Sequence, residues 1–286
     1  MIALILMGCG GDPTATDSGD TGTGVLAVPV QVEAGVRHTC ALLDDGTVSC
    51  WGLDDDGQAS APDGTYTTVS AGNDFTCAIV DGVGAPFCWG VNDEGQGSPP
   101  TDAYEQVVAG GFHACAWTPG ESGACWGRDA YDRLVLPDAP LAHVDAGRHN
   151  TCALGTDGSL SCMGPTQEVV SQVPEGEFQH VDLGAAQACA VRTDGSLVCW
   201  GDGELADSTP TSGSFVRVSL GVYHACALTV DQLVTCWGDN GDKQGNAPAW
   251  VFSDVTAGGY HTCAQDTLGA LSCWGRDTDG QATPPL

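Results

Sequence analysis

The stretch AGVRHTCALLDDGTVSCWG, residues 34–52, decides the fold, because its pattern returns every 37 residues with one step of 38. Each of seven units keeps a valine, a glycine three residues later, a Cys-Ala pair, and a second cysteine followed by Trp-Gly. Only the fourth unit departs from the last feature, with Met163-Gly164. The recurring glycine marks a position that needs positive φ or a close approach of another backbone. Such self-similarity within one chain predicts a solenoid or a propeller.

Each unit is predicted to form three short strands. The segment around the constant valine is the first, residues 38–43 are the second and residues 47–51 are the third. Residues 44–46 (DDG) form a three-residue hairpin loop whose glycine suits a left-handed position. Counting outward from this loop places Cys40 opposite Cys50 at a non-hydrogen-bonded site, where a cross-strand disulfide fits best. The spacing therefore predicts one disulfide in each unit.

The fifteen cysteines consist of Cys9 and seven pairs. The pairs join Cys40 with Cys50, Cys77 with Cys88, Cys115 with Cys125, Cys152 with Cys162, Cys189 with Cys199, Cys226 with Cys236 and Cys263 with Cys273. Zinc is the alternative for paired cysteines, but zinc sites bring closely spaced pairs together in fours. Here nine or ten residues separate the members of each pair. We therefore expect seven disulfides and an oxidising compartment.

The composition favours short strands and tight turns, because it combines 41 glycines with Thr, Val, Ser and Asp spread throughout. Seven similar units could stack as an open solenoid, but a radial arrangement hides most strand edges by closing the ring. We predict an all-β, seven-bladed β-propeller with three-stranded blades over residues 28–286. The sequence leaves open whether the N-terminal strand completes the last blade or only abuts it.

The repeat resembles that of the regulator of chromosome condensation family. Residues 34–58 (AGVRHTCALLDDGTVSCWGLDDDGQ) and the last unit (AGGYHTCAQD, then LSCWGRDTDGQ) resemble the family pattern A-G-x-x-H-x-x-A-L-x-x-D-G-x-V-x-x-W-G-x-N-x-x-G-Q. The length is closer to the short bacterial branch, which includes secreted seven-bladed β-lactamase inhibitory proteins of the second type. The resemblance implies the propeller fold, but fold does not carry activity. Nucleotide exchange and chromatin binding do not suit an acidic, exported chain.

The chain has 37 Asp and Glu against 8 Lys and Arg, a net charge of −29. The resulting field repels phosphate backbones and anionic lipid surfaces, which excludes nucleic-acid partners. We interpret the acidic residues as a source of solubility and as turn residues. The turns at 54–57, 92–95 and 277–280 suggest calcium as an alternative, but they lack the spaced ligands and terminal Glu of calcium loops. We predict no metal and no cofactor.

The N-terminal segment resembles a bacterial lipoprotein leader. Residues 1–8 are mostly apolar and end in Leu-Met-Gly before Cys9, the one unpaired cysteine. The resemblance implies cleavage before Cys9 and acylation of Cys9, with residues 9–27 as a flexible tether. Residues 1–8 are nevertheless short for a signal peptide and lack a cationic start. We expect a bacterial membrane-anchored lipoprotein at the cell surface or in the periplasm, or else a secreted protein with a free Cys9.

The sequence shows no catalytic constellation. Four histidines share one repeated position, which indicates a scaffold role: His38, His113, His224 and His261. His143 and His180 precede the constant valine and are interpreted as ordinary strand residues. No Ser/His/Asp set or carboxylate pair stands out from the repeat. We therefore predict that the chain is not an enzyme. The alternative is a hydrolase or lyase with a central-channel site, which would need repeat-breaking polar groups that converge on the channel.

The most informative variation lies two residues after the repeated glycine, in the turn into the second strand and hence on one rim of the ring. In unit order this position holds Arg37, Asp74, Phe112, His149, Ala186, Tyr223 and Tyr260. Aromatic residues and arginine are frequent hot spots of protein recognition, and loops carry function on rigid scaffolds. We predict a monomer that binds a protein, or alternatively a glycan, through Arg37, Phe112, His149, Tyr223 and Tyr260. The competing interpretation is that these side chains only pack against their neighbours around the rim.

Overall fold

The computed structural model of the chain describes residues 27–202, 205, 208–210 and 212–285. The predicted signal segment, the predicted lipidation site Cys9 and the tether up to residue 26 lie outside these ranges. Within the described residues, no helix is long and apolar enough to cross a membrane.

The described chain forms seven three-stranded antiparallel sheets, each in the strand order of the sequence. Blades one to three consist of β1 Pro29–Ala34, β2 His38–Leu43 and β3 Val48–Gly52, then β4 Tyr66–Ala71, β5 Phe75–Val80 and β6 Pro86–Gly90, then β7 Gln106–Ala109, β8 His113–Trp117 and β9 Gly123–Gly127. Blades four and five consist of β10 Leu141–Ala146, β11 Thr151–Gly155 and β12 Leu160–Met163, then β13 Phe178–Leu183, β14 Gln187–Arg192 and β15 Leu197–Gly201. Blades six and seven consist of β16 Phe215–Leu220, β17 His224–Thr229 and β18 Val234–Gly238, then β19 Asp254–Ala257, β20 His261–Gln265 and β21 Leu271–Gly275. One short helix, α1 Gln167–Ser171, follows blade four.

The hairpin of each blade carries the predicted disulfide. In blade one, the N–H of Leu43 donates to the carbonyl of Thr47 at 2.9 Å, and Gly46 has a φ of 83°. This closure pairs Cys40 with Cys50 directly across β2 and β3, with a Cα–Cα distance of 4.0 Å. All seven pairs have Cα–Cα distances of 4.0 or 4.1 Å. The all-β class, the seven blades and the seven disulfides predicted from the repeat are confirmed.

The remaining six disulfides follow the predicted pairing. They join Cys77 with Cys88, Cys115 with Cys125, Cys152 with Cys162, Cys189 with Cys199, Cys226 with Cys236 and Cys263 with Cys273.

The two members of each disulfide differ in burial, a difference that the sequence pattern does not report. The first cysteine of each pair lies on the central strand of its blade and is completely buried, as Cys40 is. The second lies on the outer strand, where it is buried in blade four (Cys162) and half-buried in the six other blades (Cys50, Cys88, Cys125, Cys199, Cys236 and Cys273). Solvent therefore reaches each disulfide mainly on the side of the cysteine in the outer strand.

Neighbouring blades are held together by apolar packing and by the recurring tryptophan. Cys40 and Leu42 of blade one pack against Val69 and Trp89 of blade two, all of them buried. The indole N–H of Trp89 donates at 3.0 Å to the carbonyl of Gln58, in the linker between the two blades. Six of the seven interfaces contain such a satisfied indole donor, and the interface of blades three and four has Met163 in its place. This packing between blades suits blades that are too thin to have cores of their own.

The ring closes without exchange of a strand, because blade one is formed by β1–β3 and blade seven by β19–β21. The carbonyl of Gln281 accepts hydrogen bonds from Trp51 Nε1 and from Thr39 Oγ1, each at 2.9 Å. In addition, the N–H of Ala34 donates to Thr256 Oγ1 at 3.0 Å. The N-terminal strand therefore abuts the last blade, and the C-terminal segment fills the place that the linkers occupy between other blades.

The ring has two distinct rims. The Gly rim consists of the turns after the repeated glycines and the turns after Trp-Gly, which meet where the N–H of Leu53 donates to the carbonyl of Arg37 at 2.9 Å. The hairpin rim consists of the loops between the second and third strands of the blades. The chain enters the ring at the hairpin rim, because Val28 N donates to Asp44 Oδ1 at 2.9 Å and Val28 O accepts from Asp44 N at 2.8 Å.

The repeated glycines form a tight circle at the Gly-rim end of the central channel. A Cβ atom on Gly35 would lie 2.5 Å from the carbonyl oxygen of Gly72, and one on Gly147 would lie 2.6 Å from that of Gly184. None of the seven glycines has a positive φ. Close approach of the next blade, and not a left-handed backbone, is therefore the reason for glycine at this position.

Candidate functional site

All five predicted binding residues lie on the Gly rim, but they form two separate groups. Tyr223 and Tyr260 contact each other with ring centroids 4.8 Å apart, and Phe112 and His149 stack with centroids 6.0 Å apart. The two groups lie on different blades, six and seven against three and four. Asp74 of blade two and Ala186 of blade five occupy the equivalent positions between them. The predicted face is thus split into two sectors.

The tyrosine sector contains Tyr223, Tyr260, Arg276 and Arg37 and spans blades six, seven and one. The guanidinium carbon of Arg276 lies 3.7 Å from the ring centroid of Tyr260, and Arg276 also pairs with Asp242 at 2.7 Å. A side-chain hydrogen bond with Tyr223 raises the pKa of Tyr260. Tyr223 nevertheless keeps 46% of its surface exposed. This sector is therefore both ordered and accessible.

The phenylalanine sector contains Phe112, His149 and Arg128 on blades three and four. Arg128 lies over the ring of Phe112 at 5.6 Å and 3.7 Å from the carboxylate of Glu94. Burial is the largest factor that lowers the pKa of His149, with further lowering by nearby arginines, so His149 is held neutral. Here neighbour packing accounts for most of the arrangement, as the competing interpretation expects.

Positive charge is concentrated on the Gly rim. All eight Lys and Arg residues lie in the described part of the chain. Those exposed or half-exposed on the Gly rim are Arg37, Arg128, Arg148, Lys243 and Arg276. In a chain of net charge −29, this placement gives one rim a mixed electrostatic surface and leaves the hairpin rim predominantly acidic.

The repeated histidines lie next to the Gly rim and form hydrogen bonds between neighbouring blades. His38 Nε2 contacts Thr76 Oγ1 of the next blade at 2.9 Å, and that hydroxyl donates to the carbonyl of Gln58 at 2.9 Å. Because the threonine proton is used in this way, His38 must donate from Nε2. Burial lowers the pKa of His38 to about 4, so the ring is neutral near pH 7. Three other histidines make the same inter-blade contact: His113, His224 and His261.

The sequence analysis missed a second candidate site in the central channel. The residues directly before and after the constant valines line a cavity of about 260 Å³ in the channel. We call this cavity, with its polar side chains, the channel site. Its polar and aromatic wall includes Gln31, Glu33, Thr68, Ser70, Gln106, Trp117, His143, Asp145, His180, Asp182, Arg217 and Asp254.

The charges in the channel site are unbalanced. Arg217 lies 3.0 Å from Asp254, and it also interacts electrostatically with the carboxylates of the other three acidic residues in the wall. Burial raises the pKa of Glu33 to about 7 and that of Asp145 to about 6. Burial also raises the pKa of Asp182, and the neighbouring Asp145 raises it further. Four carboxyl groups therefore share a single guanidinium in a poorly solvated space.

Part of this acidity has a structural role. Asp145 Oδ2 accepts the N–H of Leu183 at 2.6 Å, and Asp182 Oδ1 accepts the N–H of Leu220 at 2.7 Å. In three other blades a neutral hydroxyl accepts the corresponding backbone N–H. These hydroxyls belong to Ser70, Ser219 and Thr256. A hydroxyl is therefore sufficient for the inter-blade contact, and the two charges are additional to it.

His143 and His180 lie on the first strands of blades four and five, as predicted, and they also line the channel. Their rings stack in the channel with centroids 5.1 Å apart, and Trp117 meets His143 edge-on at 5.6 Å. Burial lowers the pKa of His143 to about 4 and lowers that of His180 as well. The sequence did contain a signal for the channel site. At the two positions that flank the constant valine, some units have charged residues where others have small or neutral ones.

The acidic turns of the Gly rim use their first carboxylates internally. Asp54 accepts the N–H of Ala59 at 2.8 Å and the hydroxyl of Ser60 at 2.6 Å, and Asp277 is engaged in the same way with Ala282 and Thr283. Among the residues that the structure describes, no three His, Cys, Asp or Glu side chains are arranged to hold a metal ion. These turns are built as hydrogen-bonded loops.

Seven disulfide-stapled, three-stranded blades around a polar channel define a closed β-propeller. The model of the regulator of chromosome condensation (RCC1) repeat matches residues 30–58, 215–244 and 252–281. Three segments of the chain thus match this repeat, and the fold is similar to that of RCC1-like propellers. The bacterial branch and the lipoprotein N-terminus stay predictions.

Solved structures of similar fold come from several organisms. The CRINKLY ectodomain of an Arabidopsis thaliana receptor kinase is 26% identical, with a TM-score of 0.73 over 89% of this chain and 98% of that one. The ectodomain of a Physcomitrella patens receptor kinase is 27% identical, with a TM-score of 0.72 over 87% and 74%. Prp20p of Saccharomyces cerevisiae is 15% identical, with a TM-score of 0.66 over 88% and 83%. No curated protein sequence gives a significant match.

Proposed function

We propose that this protein is an extracytoplasmic, non-enzymatic scaffold that binds a protein partner through the tyrosine sector of its Gly rim. The observation that carries the proposal is the contact between the exposed Tyr223 and the half-exposed Tyr260, with the guanidinium groups of Arg276 and Arg37 in the same sector. Tyr provides a large contact area at a low entropic cost, and both Tyr and Arg are enriched among binding hot spots.

One fold relative, solved in two structures, supports the idea of a protein partner. The crystal structure of Prp20p is described together with its binding to Gsp1p and histones, and yeast RCC1 has been crystallised with Kap60. The plant relatives are receptor ectodomains. By analogy, the propeller of this chain would serve as a rigid platform for recognition, with its own partner selected by the rim side chains.

The seven disulfides favour an oxidising compartment outside the cytoplasm. We further propose that Cys9 carries a lipid anchor. Since Val28 enters the ring at the hairpin rim, the flexible tether would join the propeller at that rim. The Gly rim, with its tyrosine sector, would then be at the opposite end from the tether and accessible to a partner.

The test replaces Tyr223 and Tyr260 together with alanine. We expect capture of the native partner from the host cell surface to weaken by about tenfold or more, because two hot-spot aromatics are lost. The matched control is Val230→Ala with Leu233→Ala, two exposed apolar side chains next to the loop of a hairpin. Unchanged capture by the tyrosine variant, with an unchanged thermal midpoint, would overturn the proposal. Capture of a glycan in place of a protein would also overturn it.

A further inference from the structure

Exposed apolar side chains are grouped on the hairpin rim where blades seven and one meet. Trp250 is 63% exposed and Leu268 is 83% exposed, and Val28, Val30 and Val251 are exposed as well. We call these five side chains the entry patch, because the described chain enters the ring among them. Isolated exposed apolar residues are ordinary, but a group of them on one surface marks a site of interaction.

Backbone contacts join the segments that carry the entry patch. The N–H of Phe252, directly after the tryptophan segment, donates at 2.8 Å to a carbonyl in the hairpin loop of blade six. The hydroxyl of Ser253 donates at 2.9 Å to the carbonyl of Asp266, in the hairpin loop of blade seven. A Cβ atom on Gly269 in that loop would clash with the side chain of Val28. The patch is therefore continuous from blade seven to the entering chain.

The carboxylates beside the entry patch are used inside their own loops. Asp266 Oδ1 accepts the N–H of Leu268 at 2.8 Å and that of Ala270 at 3.0 Å, and Asp44 Oδ1 accepts the N–H of Val28 at 2.9 Å. The eight Lys and Arg residues all lie in the described part of the chain, and none of them belongs to the loops of the patch. A second copy would bring two acidic rims together without a cation between them, so the patch does not suit self-association.

The place where the chain enters indicates what covers the patch. The predicted tether, residues 9–27, joins the ring at Val28, which is itself part of the entry patch. A flexible chain of this length has a root-mean-square span of about 25 Å, so an anchor at Cys9 would hold the patch close to a lipid surface. Such a tether raises the effective concentration of the patch at the lipid but does not choose which face of the ring meets it.

We propose that the entry patch lies on an electrically neutral lipid surface, with Trp250 and Leu268 at the level of the headgroups, and that this contact turns the Gly rim away from the membrane. The inference rests on the proposed lipid anchor at Cys9. Tryptophan is enriched at membrane–water interfaces because its ring is amphipathic, and the exposed leucine adds apolar area. Because the chain has a net charge of −29, the attraction is apolar and anionic lipids oppose it.

The experiment couples the whole chain through the thiol of Cys9, the one unpaired cysteine, to a maleimide lipid in phosphatidylcholine vesicles with brominated acyl chains. Trp250 is the reporter, because the other tryptophans are buried or half-buried and Trp250→Phe gives their background. Bromine should quench the fluorescence of Trp250 by about half or more. A tryptophan on the opposite rim, in Tyr223→Trp with Trp250→Phe, should not be quenched. Phosphatidylglycerol mixed into the vesicles should weaken the quenching of Trp250.

Two matched variants test the side chains of the patch. Leu268→Ser with Val251→Ser should reduce the quenching of Trp250 by about half or more, because apolar area is lost from the contact. Val83→Ser with Phe87→Ser removes two exposed apolar side chains from blade two and should leave the quenching unchanged. Equal effects of the two variants would overturn the proposal. Equal quenching at positions 223 and 250 would also overturn it, and so would stronger quenching in the presence of phosphatidylglycerol.

Failure of the entry patch and failure of the proposed function are distinguishable. Coupling at Cys9 supplies the attachment chemically, so absence of quenching at position 250 would overturn the membrane contact whether or not the native chain is acylated. A native chain whose mass shows no acyl group on Cys9 would overturn the anchor alone. A protein crosslinked from position 250 in the host would identify a protein occupant and overturn the membrane contact. Capture of the partner through the tyrosine sector should be unchanged in Leu268→Ser with Val251→Ser.

Discussion

Trp51 of the first blade donates its indole N–H to the carbonyl oxygen of Gln281, 230 residues later in the chain, at 2.9 Å. The same contact joins Trp274 to Gln244 at 2.8 Å between two blades that are consecutive in sequence. The junction between the chain ends is thus chemically equivalent to an internal junction. Six of the seven interfaces of the ring therefore share the same indole contact, and the junction between the chain ends is one of them.

This equivalence predicts the effect of removing the closing hydrogen bond. Trp51→Phe and Trp274→Phe should each lower the free energy of unfolding by about 1 kcal/mol, because each removes one buried hydrogen bond and little apolar contact. Urea denaturation measures both variants. A loss in Trp274→Phe with none in Trp51→Phe would show that the ring is open between its ends.

The circle of glycines predicts a steric limit. A methyl group on Gly147 would lie 2.6 Å from the carbonyl oxygen of Gly184, so Gly147→Ala should destabilise the fold by about 1 to 3 kcal/mol. Gly241→Ala is the matched control, because its nearest neighbour lies at 3.4 Å and its φ is not positive. Thermal midpoints compare the two variants. Equal midpoints would contradict the close approach of the blades.

The buried histidines predict an acid-sensitive fold. Burial lowers the pKa of His224 to about 4 in the folded chain, whereas the unfolded value is about 6.5. Between these values the unfolded chain binds the additional proton, so the stability that this histidine contributes is lost as the pH falls from about 6.5 to about 4.

His224→Gln isolates this contribution, because Gln187 occupies the equivalent position in blade five. The plot of unfolding free energy against pH should have a shallower slope in the variant between about pH 4 and 6.5. Glu33 and Asp145 have raised pKa values and contribute the opposite slope, but they do so in both proteins. Identical slopes in the two proteins would contradict a neutral, buried His224.

The disulfides predict a stability that depends on oxidation. Replacing Cys189 and Cys199 together with serine should cost about 2 to 3 kcal/mol in the chain-entropy account of a short loop. Unfolding in urea under oxidising conditions measures the loss against the parent chain. A variant as stable as the parent would show that the disulfide does not stabilise its hairpin.

The repeat made most of the fold predictable from sequence. Counting outward from the hairpin loop predicted the pairing of Cys40 with Cys50, and the sevenfold recurrence predicted the seven blades. The mode of closure was not predictable, because Gln281 lies in a segment without a strand and acts through its backbone carbonyl. Sequence periodicity does not report such a contact.

The sites were less predictable than the fold. The variable position on the rim was visible in the sequence, but the separation of Phe112 from Tyr223 by two intervening blades depends on the order of the blades in space. The channel site was missed because His143 and His180 are 37 residues apart and meet only when the ring forms. Residues that flank a constant valine look like ordinary strand residues until the first strands are placed around a common axis.

The most direct test of the account is site-specific photo-crosslinking in the native host. A photoreactive amino acid at position 223 lies in the tyrosine sector, and one at position 230 lies beside the opposite, hairpin rim; both positions are exposed. The account predicts a crosslink to one protein partner from position 223 and none from position 230. A crosslink from position 230 with none from position 223 would contradict recognition through the Gly rim.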